Sequence, residues 1–122
     1  MTARARAGAQ AESAALDHLR SSGLTLVSRN FRCRLGELDL VMEDGKDLVF
    51  VEVRLRNHAR FGDGAASITA AKRQKLVRAA RAFLQRNPRY QHHPCRFDVV
   101  AVNGQGRTTQ LRWIRHAFAA GD

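Results

Sequence analysis

Residues 36–56 read GELDLVMEDGKDLVFVEVRLR, and the fold turns on how this stretch is paired. Two apolar runs flank the polar segment Asp44-Gly45-Lys46-Asp47, the pattern of a β-hairpin. Each run carries an acid among apolar neighbours: Asp39 lies between Leu38 and Leu40, and Glu52 between Val51 and Val53. A carboxylate in such a run is costly unless its charge is compensated. What compensates it is the functional question.

Side chains alternate along a strand. Glu37, Asp39 and Val41 therefore share one face of the first run, and Leu38, Leu40 and Met42 the other. In the second run Leu48, Phe50, Glu52, Arg54 and Arg56 share a face. A four-residue loop at 44–47 pairs Glu43 with Leu48 and sets Asp39 opposite Glu52. A two-residue Asp44-Gly45 loop pairs Glu37 with Glu52 and leaves Asp39 diagonal to it. Both registers put Asp39 and Glu52 on one face within roughly 8 Å; a three-residue loop would separate them. Opposed like charges repel, and three arrangements relieve them. One acid is protonated, Arg54 pairs with them in a structural network, or a divalent cation bridges them. Carboxylate oxygens suit Mg2+ or Mn2+.

On the N-terminal side, Ala9 to Ser22 reads as a helix stopped by Gly23. Ala15, Leu16 and Leu19 form its apolar stripe, and stepping back one turn reaches Glu12. Glu12 is then aimed at whatever the helix packs upon, or it lies near enough to the helix start to serve the dipole and reach water. Residues 1–8 are expected to form a flexible basic arm and residues 9–119 a single domain. Leu24 to Arg32 predicts a strand leading into Arg29, Arg32 and Arg34.

On the C-terminal side, Asn57 to Ser67 lacks apolar periodicity and is expected to be a mobile loop. Thr69 to Arg86 predicts a helix with Ser67 or Thr69 as N-cap. Leu76, Val77, Ala80, Phe83 and Leu84 make its stripe, and Lys72 starts the inward face. With Lys72 the helix carries six basic residues and no acid, a repulsive pattern not tuned for stability alone. Arg96 to Val102 and Gln110 to Arg115 predict two further strands. The order is α-β-β-β-α-β-β, and a right-handed crossover through the second helix sets the third and fourth strands parallel.

The composition fits one globular domain: 122 residues, 44% hydrophobic and 26% charged. Its charge is distinctive. There are 21 Lys and Arg against 11 Asp and Glu, a net +10, and the pI is about 11.3. Residues 53–89 hold ten basic residues against the single acid Asp63. Such a balance points to a polyanionic partner, nucleic acid above all, with Arg56, Arg60, Lys72, Arg73, Lys75 and Arg78 as the contacts.

Cys33 and Cys95 form no CxxC and no disulfide framework, which suits a reducing cytoplasm. No apolar stretch is long enough to span a membrane. Cys33, His92, His93 and Cys95 match no standard zinc spacing. Asp98 reads as structural, and Phe31, Trp113 and Phe118 as core, because aromatics do not interleave with the basic cluster. His58 reads as polar surface. No Ser-His-Asp set or Gly-rich phosphate loop is visible.

GELDLV, VFVEVR, a helix opening with Lys72, RFDVV and the terminal HAF together resemble the YraN-like family of small bacterial proteins. The resemblance runs from about Gly8 to Phe118. That family in turn resembles the PD-(D/E)XK nucleases, particularly the archaeal Holliday junction resolvases. The resemblance implies a restriction-endonuclease-like α/β fold, with an αβββαβ core and a mixed central sheet flanked by helices. It also implies Mg2+-dependent cleavage of DNA.

Under it Asp39 is the motif aspartate, Glu52 the following acid, and Glu12 the first-helix acid that completes the metal site. Arg54 stands where the motif has lysine. Arginine keeps the charge but stays protonated; it suits electrostatic stabilisation and not proton acceptance. Lys72 is the residue able to supply an ammonium from the helix instead. The expected function is a metal-dependent endonuclease for branched or structured DNA. The alternative is a non-catalytic nucleic-acid-binding protein with a degenerate site. A two-fold homodimer would match the symmetry of a four-way junction.

Overall fold

The alternating runs assemble into one five-stranded sheet with a helix on each face. In the computed structural model, which describes residues 2–56, 68–104 and 106–121, the elements are α1 (Ala3–Ser21), β1 (Thr25–Cys33), β2 (Gly36–Asp44), β3 (Asp47–Arg56), α2 (Ala70–Arg86), β4 (Cys95–Asn103) and β5 (Gln110–Phe118). Sheet order equals chain order, β1-β2-β3-β4-β5. Strands β1, β2 and β3 form an antiparallel meander; β4 runs parallel to β3, and β5 antiparallel to β4. The expected fold class, a mixed α/β sheet flanked by helices, is the one observed. The 57–67 segment, with His58 and Arg60, and the Arg56 side chain lie outside the described residues.

Two cores follow from the two helical stripes. Ala15, Leu16 and Leu19 of α1 pack on Leu40, Met42, Val49, Val51, Val100 and Val102. On the other face Leu76, Ala80 and Phe83 of α2 pack on Leu38, Val41, Leu48, Phe50 and Phe97. Phe31 and Phe118 border the second core and Trp113 the first, as expected of core aromatics.

The cap chemistry sets the helix ends. Thr69 caps α2, its Oγ1 accepting from the Lys72 N–H at 3.1 Å. Thr2 caps α1, its Oγ1 accepting from the Ala5 N–H at 3.0 Å. This second cap corrects the expected helix start at Ala9. Residues 3–8, read as a flexible arm, are helical, because Ala and Arg have high helix propensity even without an amphipathic stripe.

The hairpin adopts the register that pairs Glu43 with Leu48. Its β2–β3 ladder runs from Asp44↔Asp47 to Leu40↔Val51, and at that point β2 turns over. Leu40 belongs to the α1-side core and Leu38, two residues on, to the α2-side core. The neighbouring strand turns with it: Arg29 pairs with Leu40 and Phe31 with Leu38, and Asn30 between them adopts φ 57°. Asparagine tolerates this left-handed conformation better than most residues. Asp39 sits at the turnover.

At the opposite end of the hairpin, Arg96 is buried among three aspartates. Its Nη2 reaches Asp44 at 2.9 Å, its Nη1 Asp47 at 3.2 Å and its Nε Asp98 at 3.1 Å. Asp98, 1% exposed, also accepts from Trp113 Nε1 at 2.9 Å and the His116 N–H at 3.1 Å. The cluster ties the 44–47 turn to β4 and β5. The structural reading of Asp98 holds.

Candidate active site and nucleic-acid interface

Asp39 and Glu52 come together where β2 and β3 part. Both are 8% exposed. Beyond Leu40↔Val51 the Asp39 side chain takes over from the backbone ladder: the Val53 N–H donates to Asp39 Oδ2 at 2.8 Å. The Asp39 and Glu52 side chains are near enough to act on each other's protonation. Burial, and then the Glu52 charge, push the Asp39 pKa up to about 7, against the partial relief of the Val53 N–H. The pair therefore holds a proton that separated carboxylates would release.

The cation that meets the pair comes from α2. Lys72 Nζ lies 3.4 Å from Glu52 Oε2. The reason is local: the Thr69 cap starts the helix so that Lys72 falls one turn before Leu76, on the buried stripe. Arg54 shares the Glu52 face of β3 and pairs in register with Ala101 of β4. Among the described residues it forms no ion pair with Asp39 or Glu52, so the charge beside Glu52 is that of Lys72.

Glu12 lies on α1, the helix of the opposite face. Its Oε1 is 3.7 Å from Arg29 Nε. Burial, followed by the Asp39 charge, raises its pKa, and Arg29 and Asn30 oppose the rise. Glu12 thus feels Asp39 across the turnover without joining it. Among the described residues no three His, Cys, Asp or Glu side chains gather as a metal cage. The donor set at the strand parting is two neighbouring carboxylates. That set fits Mg2+ or Mn2+, which bind through one or two carboxylates with water and phosphate oxygens.

Beside Lys72 a pocket of about 360 Å³ opens between Arg32, Gly36 and Glu37 of the β1–β2 hairpin and Lys72, Lys75 and Leu76 of α2. Gly36 makes it: a Cβ there would stand 3.0 Å from the Lys75 carbonyl oxygen. Gly36→Ala should push the start of α2 off the hairpin and separate Lys72 from Glu52. We expect a stability loss of about 1–3 kcal/mol, read as a lower urea midpoint. An unchanged midpoint would mean that α2 does not press on this glycine. Neither the pocket nor the Val53–Asp39 bond has a sequence signal, since both depend on tertiary approach.

The exposed face of α2 carries Lys75, Arg78, Arg81 and Arg86, continuing outward from Lys72. Arg73 is turned inward, its Nη1 donating to the Ile68 carbonyl at 2.7 Å. A larger cavity, about 860 Å³, lies between α1 and the β3–β5 end; Ala11, Leu55, Val102 and Leu111 line it, with Asp17 as its one acid. Gln10, Ser13 and Thr109 add polar groups to its lining.

The fold and site define a class: a small α/β protein with an acid pair at a strand parting, a helix-borne lysine upon it and a basic helix alongside. Among the described residues no helix is long and apolar enough to cross a membrane. The chain belongs to the family described as "Uncharacterised protein family UPF0102", which it matches over residues 11–102. A UPF0102 protein of Stutzerimonas stutzeri (strain A1501) is 54% identical over 111 residues, covering 91% of this chain and 92% of that one. One from Pseudomonas entomophila (strain L48) is 55% identical, covering 92% of each chain. One from Nitrosococcus oceani is 50% identical, covering 91% and 90%.

Proposed function

We propose that this chain is a metal-dependent endonuclease of the PD-(D/E)XK type acting on branched or structured DNA. The observation that carries the reading is the acid pair itself: two nearly buried neighbouring carboxylates, short of positive charge, with the Lys72 ammonium at 3.4 Å from one of them. Asp39 and Glu52 would hold Mg2+ or Mn2+, which in phosphodiester hydrolysis polarises the phosphate, lowers the pKa of water and receives the leaving oxygen.

The chain's own residues do the rest. The Val53 N–H fixes the Asp39 carboxylate. Lys72 places a mobile ammonium where charge develops on the transferring phosphate. Arg54, on the same strand face, adds fixed positive charge, and its permanent protonation excludes it as the base. Lys75, Arg78 and Arg81 grip the backbone of the DNA, so binding weakens steeply with salt. Glu12, engaged with Arg29, stands within reach of the Asp39 charge.

The test is incubation of branched DNA with Mn2+ and the wild type, Asp39→Ala or Lys72→Met. We expect both variants to lose about 100-fold or more in cleavage while still binding the DNA. Equal cleavage by wild type and Asp39→Ala would sink the assignment. The second reading, a non-catalytic nucleic-acid-binding protein, is favoured by arginine at position 54. Arg54→Lys separates the two readings: a strong gain of cleavage marks a degenerate enzyme site.

A further inference from the structure

Leu35 is the large apolar side chain left exposed among the described residues, at 52%. Singly exposed leucines are ordinary surface; the setting singles this one out. Cys33 pairs with Gly36, so Arg34 and Leu35 are the two corner residues of the β1–β2 turn. Such corners are normally filled by Gly, Asn or Asp, and a leucine adds nothing to turn chemistry. It belongs to neither core. The tip is nevertheless braced from three sides. Gly36 abuts the Lys75 backbone, the Cys33 thiol donates to the Gly36 carbonyl at 3.4 Å, and Arg32 pairs with Glu37 at 3.2 Å.

The surroundings are cationic. Arg34 is exposed beside Leu35, the Arg32 side chain is 76% exposed, and Arg32, Lys72 and Lys75 line the adjoining pocket with the acid Glu37. A rigid apolar tip ringed by positive charge matches one known way of meeting nucleic acid. Phosphates are held by the cations while an apolar side chain enters a base step and unstacks it. Leu35 is four residues from Asp39 along an extended strand, about 13 Å, or about four base steps of duplex.

We propose that the β1–β2 turn is the branch-reading element of this protein, with Leu35 as a wedge at an opened base step and Arg32 and Lys75 of the adjoining pocket holding a neighbouring phosphate. This rests on the nuclease reading above and deepens it. Leu35 selects DNA whose stacking is already broken, because there the wedge need not separate intact base pairs. A continuous duplex meets the same cations without the wedge contact, and so binds more weakly. Leu35 is thus a specificity residue and takes no part in the reaction.

The experiment measures binding of the full chain, without divalent metal, to a three-way branched DNA and to a continuous duplex of equal length. A 2-aminopurine at the branch step reports unstacking. The wild type should prefer the branched DNA by about tenfold and raise the 2-aminopurine fluorescence. Leu35→Ser, at an exposed position that leaves the fold intact, should abolish the preference and the fluorescence rise while changing duplex affinity less than about twofold. Leu35→Phe should keep both. Two results overturn the wedge alone: Leu35→Ser retains the preference, in which case the tip serves another kind of partner, or it weakens both DNAs equally. If the wild type itself shows no salt-sensitive binding to either DNA, the nuclease reading fails first and the wedge with it.

Discussion

Arg96→Met is expected to cost about 3–5 kcal/mol of folding stability, the range for breaking a buried ion cluster by removing one partner. The substitution keeps most of the side-chain volume and deletes the charge facing Asp44, Asp47 and Asp98. Asp98 suffers most. Its side chain is fully buried, and its other partners, Trp113 Nε1 and the His116 N–H, are neutral dipoles that cannot offset a full charge in that environment. Urea denaturation should show a lower midpoint with an unchanged slope. A loss below about 1 kcal/mol would place the cluster with ordinary solvated surface pairs. Pairing the substitution with Asp98→Asn should recover part of the loss, because the stranded charge is then gone.

The second large effect concerns the proton on the acid pair. Asp39 has a folded pKa near 7 against 3.8 for the free side chain. In that window the folded state binds more protons than the unfolded one, so this group's contribution to stability is fully present below pH 3.8 and is lost as pH rises through about 7. Asparagine mimics the protonated acid: its carbonyl still accepts from the Val53 N–H and its amide sets no charge against Glu52. Asp39→Asn should therefore match the wild type in acid and exceed it above pH 7 by about 2–4 kcal/mol.

Thermal or urea unfolding of both proteins between pH 4 and 8 reads the difference directly; a gap that stays constant with pH would refute the shared proton. Adding Mg2+ or Mn2+ at pH 8 should stabilise the wild type and leave Asp39→Asn unmoved, since a cation supplies to two ionised carboxylates what the proton supplies in acid.

Much of this was legible along the chain. The period-two runs around 36–56 announced the hairpin, and the polar turn at 44–47 left two registers open, both of which bring Asp39 and Glu52 to one face. Lys72 was found by stepping one turn back from Leu76, because a helical stripe fixes direction whatever it packs against. The side of the sheet on which each helix lands is a different kind of information. Glu12 was left between an inward face and a place near the helix start that reaches water. That reading could not tell that α1 covers the face opposite Lys72, or that Arg29 would claim the carboxylate. Strict alternation also failed at one place. It put Leu38 and Leu40 on a common face, whereas the turnover at Asn30 and Asp39 sends them to different cores. The start of α1 escaped because residues 3–8 have propensity and a cap but no stripe.

Asn30 and His116 are the non-glycine residues with positive φ among those described. One lies in β1 and the other in β5, the two strands that end the sheet. A bare sheet edge is a template for another chain, and bends together with charged side chains are the usual protection. Here each edge strand is bent by one left-handed residue and carries exposed arginines, Arg29 and Arg32 on one side and Arg112 and Arg115 on the other. Both margins are thus poor seeds for strand-to-strand aggregation. Like charge along both open edges opposes a new strand pairing there.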